Sequence, residues 1–155
     1  MKPPAWRQDR AVYPFSCAIQ TRYTDEDSLG HINNISVAAY YDEARSKFSR
    51  HVFAKAGRSE MTRIVTADSR VTYLAEVFHE DAVAVEVCTG ILRIGTASYE
   101  IGQAMFQNGR CVGIRTTTFV QATAEGSSPL SASLKAALQE MMIHAPPVLT
   151  DSPAG

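Results

Sequence analysis

The feature that most restricts the fold is a helical stripe set among strand-like runs. Between Asn34 and Ala56, the residues Val37, Tyr40, Tyr41, Ala44, Phe48 and Val52 recur at three- and four-residue steps. That spacing gathers side chains on one face of an α-helix. Asn33, Asn34 and Ser36 are good N-cap residues and Gly57 is a good stop. Ala38, Ala39 and Ala44 keep the helix slim enough for a sheet to approach closely. Such a stripe has to be buried, and the rest of the chain offers strands to bury it.

Tyr13 to Arg22 alternates as a first strand, with Phe15, Cys17 and Ile19 on one face. After the helix come candidate strands at Ile64–Leu74, Val83–Ile94, Ser98–Gln107 and Arg110–Gln121. Asn108-Gly109 predicts a type I′ hairpin between the last two. Gly126 to Pro129 breaks the chain, and Leu130–Met142 reads as a short C-terminal helix with Leu134, Leu138 and Met141 or Met142 on one side. Short links favour antiparallel neighbours. The expected class is therefore α+β, an antiparallel five-stranded sheet wrapped around one long helix. The expected divisions are an N-terminal extension over residues 1–12, a main domain over 13–122, a C-terminal helical extension over 123–145 and a loose tail over 146–155.

A chain of 155 residues is long enough for one domain with a real core. Its formal net charge of −1 argues against binding to nucleic acid. No run approaches the roughly 20 apolar residues of a membrane span, and Met1 to Ala11 has no apolar leader segment, so a cytoplasmic location is expected. Cys17, Cys88 and Cys111 are widely spaced and odd in number. They are expected to be buried, reduced and inert.

The candidate chemistry lies just before the helix, in Asp25-Glu26-Asp27-Ser28-Leu29-Gly30-His31-Ile32-Asn33-Asn34. A carboxylate at Asp27 beside the positive end of a helix can serve as a nucleophile or as a base for water. The backbone N–H of Asn34, unpaired in a first helical turn, can polarise a carbonyl. Asp25 and Asp27 also read as turn formers accepting backbone N–H bonds. His31 reads as a residue that orders the turn, bonds Asp27 or assists catalysis. Glu43 reads either as a solvated partner of Lys47 at i+4 or as a second carboxylate lining a pocket. The calcium-loop spacing of Asp25-x-Asp27-x-x-Gly30 fails at Leu29 and Ser36, and His31 has no partner at zinc-ligand spacing, so no metal is expected. Gly109-Arg110-Cys111-Val112-Gly113 mimics a nucleophile elbow but falls inside a strand, and it is rejected.

The run Arg22-Tyr23-Thr24-Asp25-Glu26-Asp27-Ser28-Leu29-Gly30-His31-Ile32-Asn33-Asn34, followed by Tyr40-Tyr41-Asp42-Glu43-Ala44-Arg45, resembles the hotdog-fold acyl-CoA thioesterases of the 4-hydroxybenzoyl-CoA thioesterase-like group. Val71-Thr72-Tyr73 and Arg93-Ile94-Gly95-Thr96-Ala97-Ser98 are similar to later pieces of that family. The resemblance implies hydrolysis of an acyl-CoA or acyl-carrier-protein thioester, with Asp27 as the carboxylate and the Asn34 N–H on the carbonyl. It implies a homodimer or homotetramer with sites between subunits. It implies no separate cofactor, coenzyme A being part of the substrate. Arg93, with Arg58 and Arg63 behind it, is the candidate for the coenzyme A phosphates. Tyr40, Tyr41, Phe48 and the Arg58–Thr62 link shape an acyl pocket or simply pack. The alternative is a non-catalytic acyl-thioester binding module. A hotdog dehydratase fits less well, because the chain lacks a His-x-x-Pro-Gly run.

Overall fold

The computed structural model describes residues 2–57, 63–79 and 84–146. Arg58, the rest of the link to Thr62, Val83 and the tail from 147 onward lie outside the described residues.

Strand β1 (Phe15–Gln20) leads through the acidic loop into helix α1 (Asn34–Ala56). Four long strands follow: β2 (Arg63–Tyr73), β3 (Ala84–Ile94), β4 (Ser98–Gln107) and β5 (Arg110–Thr123). A two-residue strand β6 (Gly126–Ser127) pairs with the end of β5, and helix α2 (Ala132–Gln139) completes the described fold. The sheet is antiparallel in the order β1-β3-β4-β5-β2. The expected architecture is present, with β1 reaching β3 only by way of α1. Some bounds differ from expectation: β1 is shorter than Tyr13–Arg22 and β5 runs two residues past Gln121. Gly126 begins a short strand instead of only breaking the chain, and α2 spans fewer residues than Leu130–Met142.

Local chemistry sets the element ends. The Asn33 side chain accepts from the amide of Ser36 at 2.9 Å and caps α1. Asn108 and Gly109 both take positive φ, 51° and 75°, as a type I′ hairpin requires. All six residues of the helical stripe are buried. The N-terminal half of α1 packs with Ile19, Val85, Val87, Met105 and Val112, and the C-terminal half packs with Ile91, Ile101, Phe119 and α2.

The outer sheet face is covered by the chain's own ends. Trp6, Val12, Tyr13 and Ile143 pack against Cys88, Leu92, Ala104, Phe106 and Ile114. Arg7 is buried there, donating to Tyr13 Oη at 3.2 Å and to the carbonyl of Arg115 at 3.0 Å. Gly90 and Gly102 floor this groove. A Cβ on either would come within 2.8 Å of Ile143.

Candidate active site

The loop between β1 and α1 is a short excursion that closes on itself. Its arms meet at a bridge between Glu26 and Ile32. The amide of Asp27 donates to the carbonyl of His31 at 2.8 Å, and Gly30, at φ 79°, makes the turn that an L side chain rarely adopts. Ile32 donates to the carbonyl of Val77 at 2.7 Å, which moors the loop to the connection between β2 and β3.

The two acids of Asp25-x-Asp27 have separate fates. Asp25 is buried, with 4 % exposure. Its carboxylate accepts from Arg22 Nε and Nη2 at 3.0 and 2.9 Å and from Tyr40 Oη at 2.6 Å. These donors favour the anion. The hydrogen bond from Arg22 does most to hold its carboxyl below the usual carboxylate range, against the opposing effect of burial. Asp27 is exposed at the loop tip, and its Oδ1 accepts from the amides of Leu29 and His31 at 2.9 and 3.3 Å. In the protomer Asp27 is therefore a turn former, and its other carboxylate oxygen is free of any bond among the described residues.

Helix α1 starts at Asn34, as the sequence indicates. Asn33 uses its amide and its side-chain N–H on the carbonyl of Asp25, at 2.9 and 2.8 Å. The amides of Asn34 and Ile35 have no partner among the described residues. An exposed carboxylate and open helix-start amides thus share one end of the molecule.

The remaining candidates are dispersed. His31 is half-buried, with Nε2 3.4 Å from Glu76 Oε1 and its ring edge-on to Phe78 at 5.3 Å. It bonds Asp27 through its backbone and not through its ring. Glu43 is exposed and pairs with Lys47 at 3.0 Å in the solvated i,i+4 arrangement. Tyr41 is fully buried in the core, so it lines no surface that the protomer leaves open. Arg93 is exposed, 3.4 Å from Glu100, and it stands nine residues along β3 from Ala84. At the usual strand rise that is about 30 Å from the end of β3 nearest the loop. Arg63 is exposed at the start of β2, and Arg58 lies outside the described residues. Within one protomer, then, Asp27, His31 and Asn34 lie on one loop and the helix start it leads into, while Tyr41 is in the core and Arg63 and Arg93 stand on strands of the sheet.

Sequence reasoning missed the role of Tyr40 as the buried donor to Asp25. It also missed Glu76, Val77 and Phe78, which meet the loop from the other side. The signal for Tyr40 was present, since a tyrosine on an apolar stripe has to satisfy its hydroxyl.

The fold has counterparts among solved structures. A predicted thioesterase from Bacillus stearothermophilus superposes with a TM-score of 0.74 at 23 % identity, covering 85 % of this chain and 98 % of that one. A thioesterase from Thermus thermophilus, solved with coenzyme A and zinc, gives a TM-score of 0.71 at 20 % identity over 83 % and 94 % of the two chains. The PA2801 protein of Pseudomonas aeruginosa gives 0.65 at 28 % identity, covering 81 % and 97 %. No curated protein sequence matches the chain. The wrapped sheet and central helix are the hotdog fold that the loop motif implied. The family model described as the thioesterase-like superfamily matches residues 21–138, from the end of β1 through most of α2, and the chain belongs to that family.

Proposed function

We propose that this protein hydrolyses acyl thioesters of the coenzyme A type, with Asp27 as the working carboxylate and the Asn34 N–H on the thioester oxygen. Either route uses the same geometry. Direct attack by the carboxylate on the acyl carbon forms a mixed anhydride and expels the coenzyme A thiolate, after which water cleaves the anhydride. Alternatively, Asp27 takes a proton from a water that attacks the acyl carbon. The open first-turn amides of α1 stabilise the oxyanion that develops in both routes, and one such donor is typically worth about 3 kcal/mol.

One observation carries the reading. Of the exposed large apolar side chains of the described residues, Tyr23, Leu29, Ile35 and Phe78 lie on the loop, on the first turn of α1 or on the segment that meets them, and Tyr73 ends β2. Leu29 is 76 % exposed and Ile35 is 84 % exposed. Apolar surface gathered around a carboxylate and open amides suits a site completed by a second copy and an acyl group. Strand β2 supports the same assembly. It is a sheet edge, and Thr66 to Arg70 are exposed on both of its faces. Edge-to-edge pairing with a second β2 would satisfy its open backbone groups. The coenzyme A bound by the Thermus thermophilus neighbour supports a coenzyme A substrate over an acyl-carrier protein. Arg63 and Arg93 remain the candidates for its phosphates across a subunit boundary.

The test is thiol release from acetyl-, hexanoyl-, palmitoyl- and benzoyl-CoA. Turnover of at least one of them is expected, with Asp27→Asn slower by at least about a hundredfold. A variant that retains most of the rate while folded overturns the assignment. Light scattering is expected to show a dimer or tetramer, and a monomer at micromolar concentration would count against the intersubunit site.

A further inference from the structure

Asp25 takes no part in the proposed chemistry, although it is the most heavily bonded side chain near the loop. Its backbone carbonyl accepts from the backbone N–H and the side-chain Nδ2 of Asn33, at 2.9 and 2.8 Å. Its carboxylate takes Tyr40 Oη at 2.6 Å and both contacts from Arg22. One residue therefore ties the turn before the excursion to the residue after it, and also to the second turn of α1. The loop carrying Asp27 leaves from Asp25 and returns to Asp25.

These ties differ in reach and exposure: Arg22 stands three residues before Asp25 on the same segment, and Tyr40 reaches it from α1. Arg22 is largely exposed, with 69 % of its side chain open to water, so its pull is screened. Tyr40 is 4 % exposed, and a hydroxyl donating to a carboxylate at that distance in a dry setting is among the stronger protein hydrogen bonds. Tyr40 belongs to α1, whose first amides are the proposed oxyanion donors. The bond from Tyr40 to Asp25 thus spans the two halves of the site, from the acid-bearing loop to the amide-bearing helix.

We infer that Asp25 and Tyr40 are a positioning pair that sets the Asp27 loop against the first turn of α1. This inference rests on the reading of Asp27 as the working carboxylate. Neither member touches the acyl group. The pair acts by keeping the carboxylate and the oxyanion donors at a fixed separation, which an effective near-attack geometry needs.

Tyr40→Phe removes the hydroxyl and keeps the ring, so the buried stripe survives. The test measures Tyr40→Phe, Asp27→Asn and the double variant on whichever of the four acyl-CoA esters the wild type turns over fastest. Tyr40→Phe should lower kcat about tenfold, with KM within about twofold. In the Asp27→Asn background it should change the residual rate by less than about twofold, because the pair acts only through Asp27. General damage to the fold would instead lower both backgrounds by the same factor, and that result overturns the inference. A wild-type kcat in Tyr40→Phe beside an inactive Asp27→Asn overturns the positioning pair alone. A wild-type rate in Asp27→Asn removes the mechanism and the pair with it. Hydrogen exchange gives a readout free of activity. The amides of Asp27, Gly30 and Ile32 should exchange about tenfold faster in Tyr40→Phe while those of Phe48 and Val52 are unchanged. Unchanged protection across the loop overturns the inference as well.

Discussion

Asp25 and Asp27 are two residues apart in the chain, and one is buried under a tyrosine and an arginine while the other stands exposed at a loop tip. The division follows from direction along the strand-to-helix connection. The side chain of Asp25 turns back toward α1, where Tyr40 waits. Asp27 lies beyond the bridge between Glu26 and Ile32, where its carboxylate takes only the loop's own amides among the described residues. A single short motif thus supplies a buried structural anion and an exposed carboxylate.

The buried anion predicts how stability depends on acid. The bond from Arg22, with that from Tyr40, lowers the folded carboxyl pKa of Asp25 below its unfolded value, which is near 3.9. As pH falls, the unfolded chain takes up this proton first. The stabilisation is therefore complete above about pH 4 and is lost as pH falls through the lower folded value. Asp25→Asn should be less stable than wild type at neutral pH and show a flatter decline below about pH 4. Urea midpoints measured between acid and neutral pH check this, and two parallel curves would show that the carboxylate is not stabilised by folding.

The exposed acid predicts the opposite balance of stability and rate. Asn at position 27 can accept the same two backbone N–H bonds through its side-chain oxygen. Asp27→Asn should then stay within about 0.5 kcal/mol of wild-type stability, as an exposed substitution that keeps its turn does. Paired with the expected loss of turnover, an unchanged thermal midpoint separates a chemical role from a structural one.

Tyr41 invites a packing test. Its hydroxyl is fully buried and has no hydrogen-bond partner among the described residues, and burial pushes it well above the usual tyrosine range. A Cβ on Gly113 would come within 2.7 Å of that oxygen and 3.2 Å of the carbonyl of Thr72. Gly113→Ala should cost about 1–3 kcal/mol through overpacking. Tyr41→Phe should be neutral or stabilising, because it removes an unsatisfied buried hydroxyl. Combining the two should recover much of the loss, since the nearer clash is with the deleted atom. Additive losses in denaturant titrations would mean that the carbonyl contact dominates.

What the sequence disclosed and what it hid divide along range. Helix α1 was legible to its ends because Asn33 and Gly57 act locally, and the hairpin at Asn108-Gly109 was legible because positive φ is a property of those two residues. The different fates of Asp25 and Asp27 were not, because the partner that buries Asp25 stands fifteen residues away. Arg7 was unreadable for a similar reason. Its burial depends on a groove floored by Gly90 and Gly102, and no periodicity in Met1 to Val12 reports on that groove. The thiols were read in kind but not in degree. Cys88 is buried, while Cys17 and Cys111 are only partly covered.

The cysteines yield a graded prediction. Burial, aided by Glu86, pushes the Cys88 thiol up to about 12, and burial also raises Cys17 and Cys111. Alkylation proceeds through the thiolate. Iodoacetamide at pH 8 should therefore label Cys17 and Cys111 slowly and leave Cys88 untouched until the protein is unfolded. Early labelling of Cys88 by mass spectrometry would show that β3 opens more readily than its place inside the sheet implies.

The exposed isoleucine at the start of α1 gives the assembly prediction its cleanest form. Ile35 is 84 % exposed, and it is the second residue of the helix. A glutamate there should suit the isolated fold, because a negative side chain in the first turn interacts favourably with the helix dipole by about 0.3–1 kcal/mol. In a dimer that covers this turn, the same charge would be stripped of water against apolar surface without a partner, at a cost of several kcal/mol. Ile35→Glu should therefore keep the helical circular dichroism and thermal midpoint of the protomer while shifting the mass seen by light scattering toward monomer. Thiol release should fall with the dimer fraction and return as protein concentration is raised. If the variant remains fully assembled and active, the first turn of α1 faces solvent in the working protein, and the apolar residues around Asp27 serve something other than a second copy.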